Sequence, residues 1–321
     1  MSVRIWRHTP KDAALLGFTV AQLAVMIWFA WNWDGLGVAA AVGGFVLITV
    51  LTAYHIIVVS HLFTHVPWFV SARLNAAVSV LNSICIGQSV QIYHLTHVRN
   101  HHRYNNDPIG PDGTTGDTSS TYRDGRDGEH APLLRYVVSG AVDSLITRGR
   151  EVWASTRLWG VGSGETHLLS LVSRREPRRT RELRQIRADR AAHILSLAGF
   201  AALSWQWTLL CYLPAFFAAL MLVNVQNYYR HFGADPGHRG ADSVSYYGRV
   251  YNRLTFNDGY HQEHHLNPSA HWSQLTTVRE RRRDLLDAQP RIISPVPAML
   301  GFLHRNRPLL HRTRPYTPTN R

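Results

Sequence analysis

The chain has 321 residues, enough for one large domain or two small ones, with 45% hydrophobic residues and a formal net charge of +13. A mean hydropathy of −0.15 averages almost purely apolar segments with arginine-dense ones, and Lys11 is the only lysine. The two cysteines, Cys85 and Cys211, sit in apolar stretches as small buried hydrophobes, which excludes an iron–sulfur cluster or a cysteine zinc site within this chain.

Residues 13–33 form an apolar run one bilayer-spanning helix long, preceded by Arg4, Arg7 and Lys11. A signal peptide is the alternative, but no small-residue cleavage site follows and a second spanning run, 36–60, starts at once. The short Asn32–Gly35 link predicts a tight helical hairpin. Residues 66–93 are mostly apolar but interrupted by Arg73, Asn75, Asn82 and Gln88, as suits a segment at the interface or re-entering. Residues 105–135 are rich in Gly, Asp, Thr and Pro and read as an ordered loop. GVGSGE (160–165) resembles a phosphate loop weakly and reads as a plain turn.

The run 192–225 is too long for one crossing: as a single helix it would measure about 50 Å against about 30 Å of hydrocarbon. Two short spans, 191–206 and 207–226, turning near Trp205, Gln206 and Trp207, fit better, with Pro214 as a kink. The expected fold is therefore all-α and polytopic: one membrane domain with four transmembrane helices, a helical cap from 61–190 and 227–310, and a polar tail at 311–321. The hairpin turns carry no Lys or Arg, whereas SRREPRRTRELRQIRADR (173–190) is crowded with arginine. The positive-inside rule then puts both termini and the cap in the cytoplasm. The arginines read as this topology signal, or as a dock for a phosphate-bearing carrier or acidic redox partner, and give no case for nucleic acid.

Histidines cluster where the predicted spans leave the membrane: HLFTH gives His61 and His65, HLTHVRNHH gives His94, His97, His101 and His102, NYYRHFG gives Asn227 and His231, and HQEHH gives His261, His264 and His265. Residues three or four apart share a helix face, so each motif can aim imidazoles at one point, and neutral imidazole suits iron, zinc or copper. His8, His55, His130, His167, His193, His238, His304 and His311 stand alone and read as ordinary polar residues. Leaving His94 aside, nine histidines exceed one ion's shell and fit two metal ions. Glu263 lies among them as a candidate catalytic-site carboxylate, either hydrogen-bonded to the ligands or simply solvated.

The order HLFTH, HVRNHH, NYYRHFG, HQEHH resembles the membrane fatty acid desaturase and hydroxylase superfamily, over most of the chain from Ala13 to about Trp272. The resemblance implies a non-haem di-iron centre, two Fe ions with O2 as co-substrate, attacking an unactivated C–H bond. It implies as ligands His61, His65, His97, His101, His102, His231, His261, His264 and His265, with Asn227 approaching one iron through a water. Phe232 stands where the family's N-Y-x-x-H-Y-G pattern has Tyr, and three residues separate His97 from the following pair where stearoyl-CoA-type desaturases have two. Alkane hydroxylases share that longer spacing, and the choice between His94 and its neighbours stays open.

The expected activity is oxidation of a fatty acyl or other lipid-like chain, foremost desaturation. Hydroxylation of an alkane or acyl chain and oxidative decarboxylation to a terminal alkene are the alternatives. A metal transporter is a distant one, since these histidines lie outside the spans. No cofactor-binding motif for flavin, nicotinamide or haem is present, so electrons are expected from a separate ferredoxin, rubredoxin or cytochrome b5-type partner. Arginine in place of lysine suggests a bacterial plasma membrane.

Overall fold

The structure, a computed structural model, describes residues 4–158, 161–162, 165–288 and 292–313. Helices dominate; the strands among the described residues are β1 (Val244–Ser245) and β2 (Ile292–Ile293), paired in parallel. The chain forms two compact units, Met1–Leu95 with Ala141–Leu220 and Thr96–Gly140 with Met221–Arg321.

In the first unit, α1 (Ala13–Asn32) and α2 (Val38–Tyr54) are joined by a 3-10 turn at Trp33–Gly35, which is the hairpin expected from the sequence. Helix α2 continues through a π-helical turn, His55–Ser60, into α3 (His61–His65). The second apolar helix therefore extends to the first histidine pair instead of stopping at residue 60. In so apolar a segment the helix is the backbone's means of satisfying its own N–H and C=O groups. Gly44 leaves room for the Phe29 ring, and Met26, Phe29, Ile48, Phe200, Trp207 and Tyr212 share one core.

Helix α4 (Ala72–Ile86) has 15 residues, too few to cross a bilayer at 1.5 Å per residue. Of the polar residues that interrupt this stretch, Arg73 is exposed, whereas buried Asn82 accepts from the Thr19 hydroxyl at 2.9 Å and half-buried Asn75 bonds both the N–H and the carbonyl of Phe69 at 2.9 Å. Gly87 ends the helix at φ +61°, where a side chain would strike Phe216. Next come α5 (Val90–Thr96), a π-helical turn at His97–His101, and α6 (His102–Tyr104).

Beyond α7 (Leu133–Leu158) and α8 (Thr166–Leu171), α9 (Arg178–Leu203) starts basic and ends apolar. Its buried Asp189 accepts from Ser79 at 3.0 Å, Ser89 at 2.9 Å, the Gln91 N–H at 3.0 Å and Gln185 at 2.7 Å. Burial pushes this carboxyl above its ordinary range, against the pull of those four donors. The expected break falls at Ser204, which is extended and caps α10 (Trp205–Trp207) through a 3.1 Å bond to the Trp207 N–H. A π-helical turn, Thr208–Tyr212, then precedes α11 (Leu213–His231), where Pro214 supplies no N–H.

Three helical runs among the described residues, Pro10–Gly35, Val38–His65 and Trp205–His231, are long and apolar enough to cross a membrane. The third expected span, 191–206, falls mainly on the C-terminal half of α9, whose charged residues run as far as Arg190, and it is not among these three. GVGSGE (160–165) lies partly outside the described residues, as does the tail from residue 314; Leu310–Arg312 forms one 3-10 turn.

In the second unit the loop after α6 docks on α7 and α11 through Ala131, Tyr136, Val137, Tyr228 and Tyr229. Its described residues also include the short helices α12 (Arg249–Leu254), α13 (His261–Leu266), α14 (Leu275–Arg281) and α15 (Arg283–Ala288).

Candidate metal centre

The HQEHH motif is α13, and its approach is fixed by local geometry. Phe256 and Asn257 both take positive φ, 51° and 60°, tightening the turn before it. Asn252 spans that turn, accepting from the Gly259 N–H at 3.0 Å and donating to the carbonyls of Tyr246 at 2.9 Å and Gly248 at 3.0 Å. A Cβ at Gly259 would collide with the Tyr246 carbonyl. The NDG of NDGYHQEHH is thus a turn whose close backbone approach permits only glycine. The box itself is interior: His261, His264 and His265 are all buried.

The run NND (105–107) builds the facing wall. Asn105 and Asn106 are left-handed, at φ 53° and 61°, a conformation asparagine tolerates better than most residues. Asn105 places Oδ1 2.5 Å from His265 Nδ1. Asn106 Oδ1 accepts from the Thr121 N–H at 2.7 Å, and Asp107 accepts from the N–H groups of Gly116 and Asp117, each at 2.8 Å. This brings Asp117 to His101, with Oδ2 2.7 Å from Nδ1. Burial opposes ionisation of Asp117, but the His101 imidazole and the Ser119 hydrogen bonds outweigh it and hold the carboxyl below its usual range.

His101, His231 and His265, all buried, converge: one nitrogen of each lies within 4.8 Å of the others. Each has Nδ1 occupied, by Asp117, by the Asp242 carbonyl at 3.2 Å and by Asn105 respectively. The buried Nε2 atoms of His101 and His265 have no hydrogen-bond partner, the state of a donor set facing a cation. Burial, then the imidazoles of His261, His102, His231 and His101, hold His265 well below its ordinary pKa, so it is neutral and able to ligate. His261 Nε2 lies 3.4 Å from His231 Nε2, and His102 Nε2 lies 3.0 Å from His264 Nε2. His97 packs edge-on to His102 with ring centroids 4.8 Å apart. The second unit therefore gathers seven of the nine expected ligands by itself, and its donors fit a metal ion.

The other two, His61 and His65, belong to the first unit, where their rings meet at 5.0 Å on one helical face. There His94 Nδ1 is 2.7 Å from the Thr64 carbonyl. Asn227 uses Nδ2 to donate to the Tyr136 hydroxyl at 2.6 Å and the Ser119 carbonyl at 3.1 Å. Glu263 is completely buried, which rules out a solvated carboxylate. It accepts from Tyr247 at 2.8 Å and Ser245 at 3.0 Å, with the Arg279 Nε 3.7 Å away, and burial raises its pKa.

Two solitary histidines are structural. His130 is 2.7 Å from the Thr121 hydroxyl and accepts from the Gly233 N–H at 3.0 Å, while His55 contacts Gln22. Asp117 and Asn105 were not singled out by sequence reasoning. The positive-φ propensity of the NN pair is the signal that could have found Asn105; nothing in the spacing pairs Asp117 with His101.

Three proteins resemble short stretches of the chain. A sphingolipid delta(4)-desaturase of Xenopus tropicalis is 40% identical over 65 residues, 20% of this chain and 20% of the relative. One from Drosophila melanogaster is 35% identical over 65 residues, with the same coverage of both. One from Candida albicans is 41% identical over 54 residues, 17% of this chain and 14% of the relative. The chain thus matches about a fifth or less of the length of these curated relatives. Much broader is the match of the fatty acid desaturase family model, which covers residues 36–296. That match spans most of the chain, and the chain belongs to the fatty acid desaturase family.

Proposed function

We propose that this chain is a membrane-bound oxidoreductase that oxidises an unactivated C–H bond of a lipid-like chain, foremost by desaturation. The observation that carries this reading is the convergence of His101, His231 and His265 in a chain of the desaturase family. Two iron ions are the proposed resident metals. His101, His231 and His265 would hold one, and His61, His65, His97, His102, His261 and His264 supply the remaining ligands, with Asn227 nearby through a water. When bound, the pair would supply the two-electron reduction of O2 that makes C–H cleavage possible.

The overall reaction removes two hydrogens from adjacent carbons and, with two electrons and two protons from outside, converts O2 to two waters. Electrons come from a separate ferredoxin, rubredoxin or cytochrome b5-type donor. The chain's own part is to bind and orient the lipid, keep the imidazoles neutral and hold them with fixed partners. Buried Glu263 contributes from behind α13 as a positioning residue, not as a proton-transfer group. The arginines preceding Ala191 favour α9 as a fourth crossing with both termini cytoplasmic, in a bacterial plasma membrane.

Hydroxylation is the second reading, favoured by the three residues between His97 and His101 and by the NYxxH motif; oxidative decarboxylation belongs to the same chemistry. The similarity to sphingolipid desaturases makes sphingolipids one substrate class to supply. Expression of the wild type and of His264→Ala in a lipid-rich bacterial host, with mass spectrometry of fatty acids and sphingolipids, tests the proposal. A wild-type-specific product lacking two hydrogens supports desaturation. A product gaining one oxygen selects the hydroxylase, and equal products from both proteins would sink the ligand assignment.

A further inference from the structure

The three converging histidines are oriented by three unlike acceptors: a carboxylate for His101, an amide oxygen for His265 and a backbone carbonyl for His231. Asp117 alone among these acceptors carries a charge. It is completely buried. Its position is heavily determined. Oδ2 also accepts from the Asn106 N–H at 2.9 Å, and Oδ1 accepts from the Ser119 hydroxyl at 2.7 Å and the Ser119 N–H at 2.8 Å. The Asp117 N–H is in turn held by Asp107.

We propose that Asp117 is the positioning residue of this centre: it fixes His101 as the Nδ1–H tautomer, aims Nε2 at the ion, and makes His101 the strongest donor of the three. The inference rests on the metal reading of the site. A carboxylate that accepts the Nδ1 proton raises imidazole basicity and removes the freedom to rotate, and losing such a partner typically weakens metal binding by about 10–100-fold. Asn105 offers His265 the same orientation without the charge. The centre therefore has one ligand of enhanced donor strength and two of ordinary strength. Its metal affinity and ligand field should depend on Asp117 more than on Asn105.

The test uses the full-length protein in detergent, stripped with a chelator and titrated with Co2+, whose visible d–d bands report the ligand field. Asp117→Asn keeps an acceptor oxygen but removes the charge. It should weaken Co2+ binding by about 10–100-fold at one of the sites and shift the bands of the ion that remains bound there. Asp107→Asn disturbs the same loop without touching His101 and serves as the folding control. Wild-type protein that binds no Co2+ defeats the metal reading itself. Binding and spectra unchanged in Asp117→Asn defeat the positioning role alone. Equal losses in Asp117→Asn and Asp107→Asn would mean that loop folding, and not the carboxylate partner, is responsible, and would also overturn the proposal.

Discussion

Gln22 and His55 meet inside the first unit, Oε1 to Nδ1 at 2.7 Å, and join α1 to the π-helical turn that leads into HLFTH. Gln22 also donates to the Cys85 carbonyl at 3.2 Å, so one side chain ties α1 to α4 as well. In an apolar surround such bonds are worth about 0.6–1.7 kcal/mol each. Gln22→Leu should therefore destabilise the protein by about 1–2 kcal/mol and lower its unfolding temperature in detergent. An unchanged melting curve would show that the contact is not maintained.

Asp189 provides a pH test. Its folded pKa is raised, so the stability attached to its protonated form is present below the unfolded pKa and lost as pH rises through the folded value. Asp189→Asn removes that dependence. Wild type minus variant stability should fall as pH rises from about 4 to 7, although the variant forfeits acceptors for Ser79, Ser89 or Gln91 at every pH. A difference that grows with pH would contradict the direction of the shift.

Gly259→Ala places a methyl group against the Tyr246 carbonyl and the Asn252 side chain. Backbone cannot yield as a flexible side chain does, so the variant should lose about 1–3 kcal/mol. Because α13 begins two residues later, metal content should fall with it. Metal analysis beside thermal unfolding checks both; full metal occupancy would show that the turn relaxes without moving the box.

Metal removal should itself destabilise the fold. An ion at 100 times its dissociation constant contributes about 2.7 kcal/mol. Chelation should lower the unfolding temperature of the wild type and have less effect on His265→Ala, which lacks one of the converging donors. Identical responses in the two proteins would remove His265 from the centre.

Tyr247→Phe tests the support behind the last box. The hydroxyl donates to a buried carboxylate, and such bonds contribute about 1.5–3 kcal/mol. The variant should unfold earlier by a corresponding amount while retaining Ser245 as the remaining hydroxyl donor to Glu263. No loss of stability would mean that Arg279 and Ser245 suffice.

Much of this was legible in the sequence because apolar length and histidine spacing are local. The hairpin at Trp33–Gly35, the break before Trp205 and the shared face of His61 and His65 all follow from short-range pattern. What stayed hidden depends on contacts distant in sequence. His265 and Asn105 are 160 residues apart, and Asp189 lies 110 from Ser79. The start of α9 was hidden as well, since its apolar end continues a helix whose opening turns are arginine-rich.

The π-helical turn at His97–His101 bears on how the box lengths should be interpreted. An i→i+5 turn takes up one more residue than an α-helical turn. A third intervening residue can then be absorbed as a wider coil, with the flanking imidazoles still delivered to the centre: His97 and His101 stack with ring centroids 5.1 Å apart. The longer box thus runs through a wider winding of the same helix, and its extra residue is taken up in the backbone and not in the aim of the imidazoles.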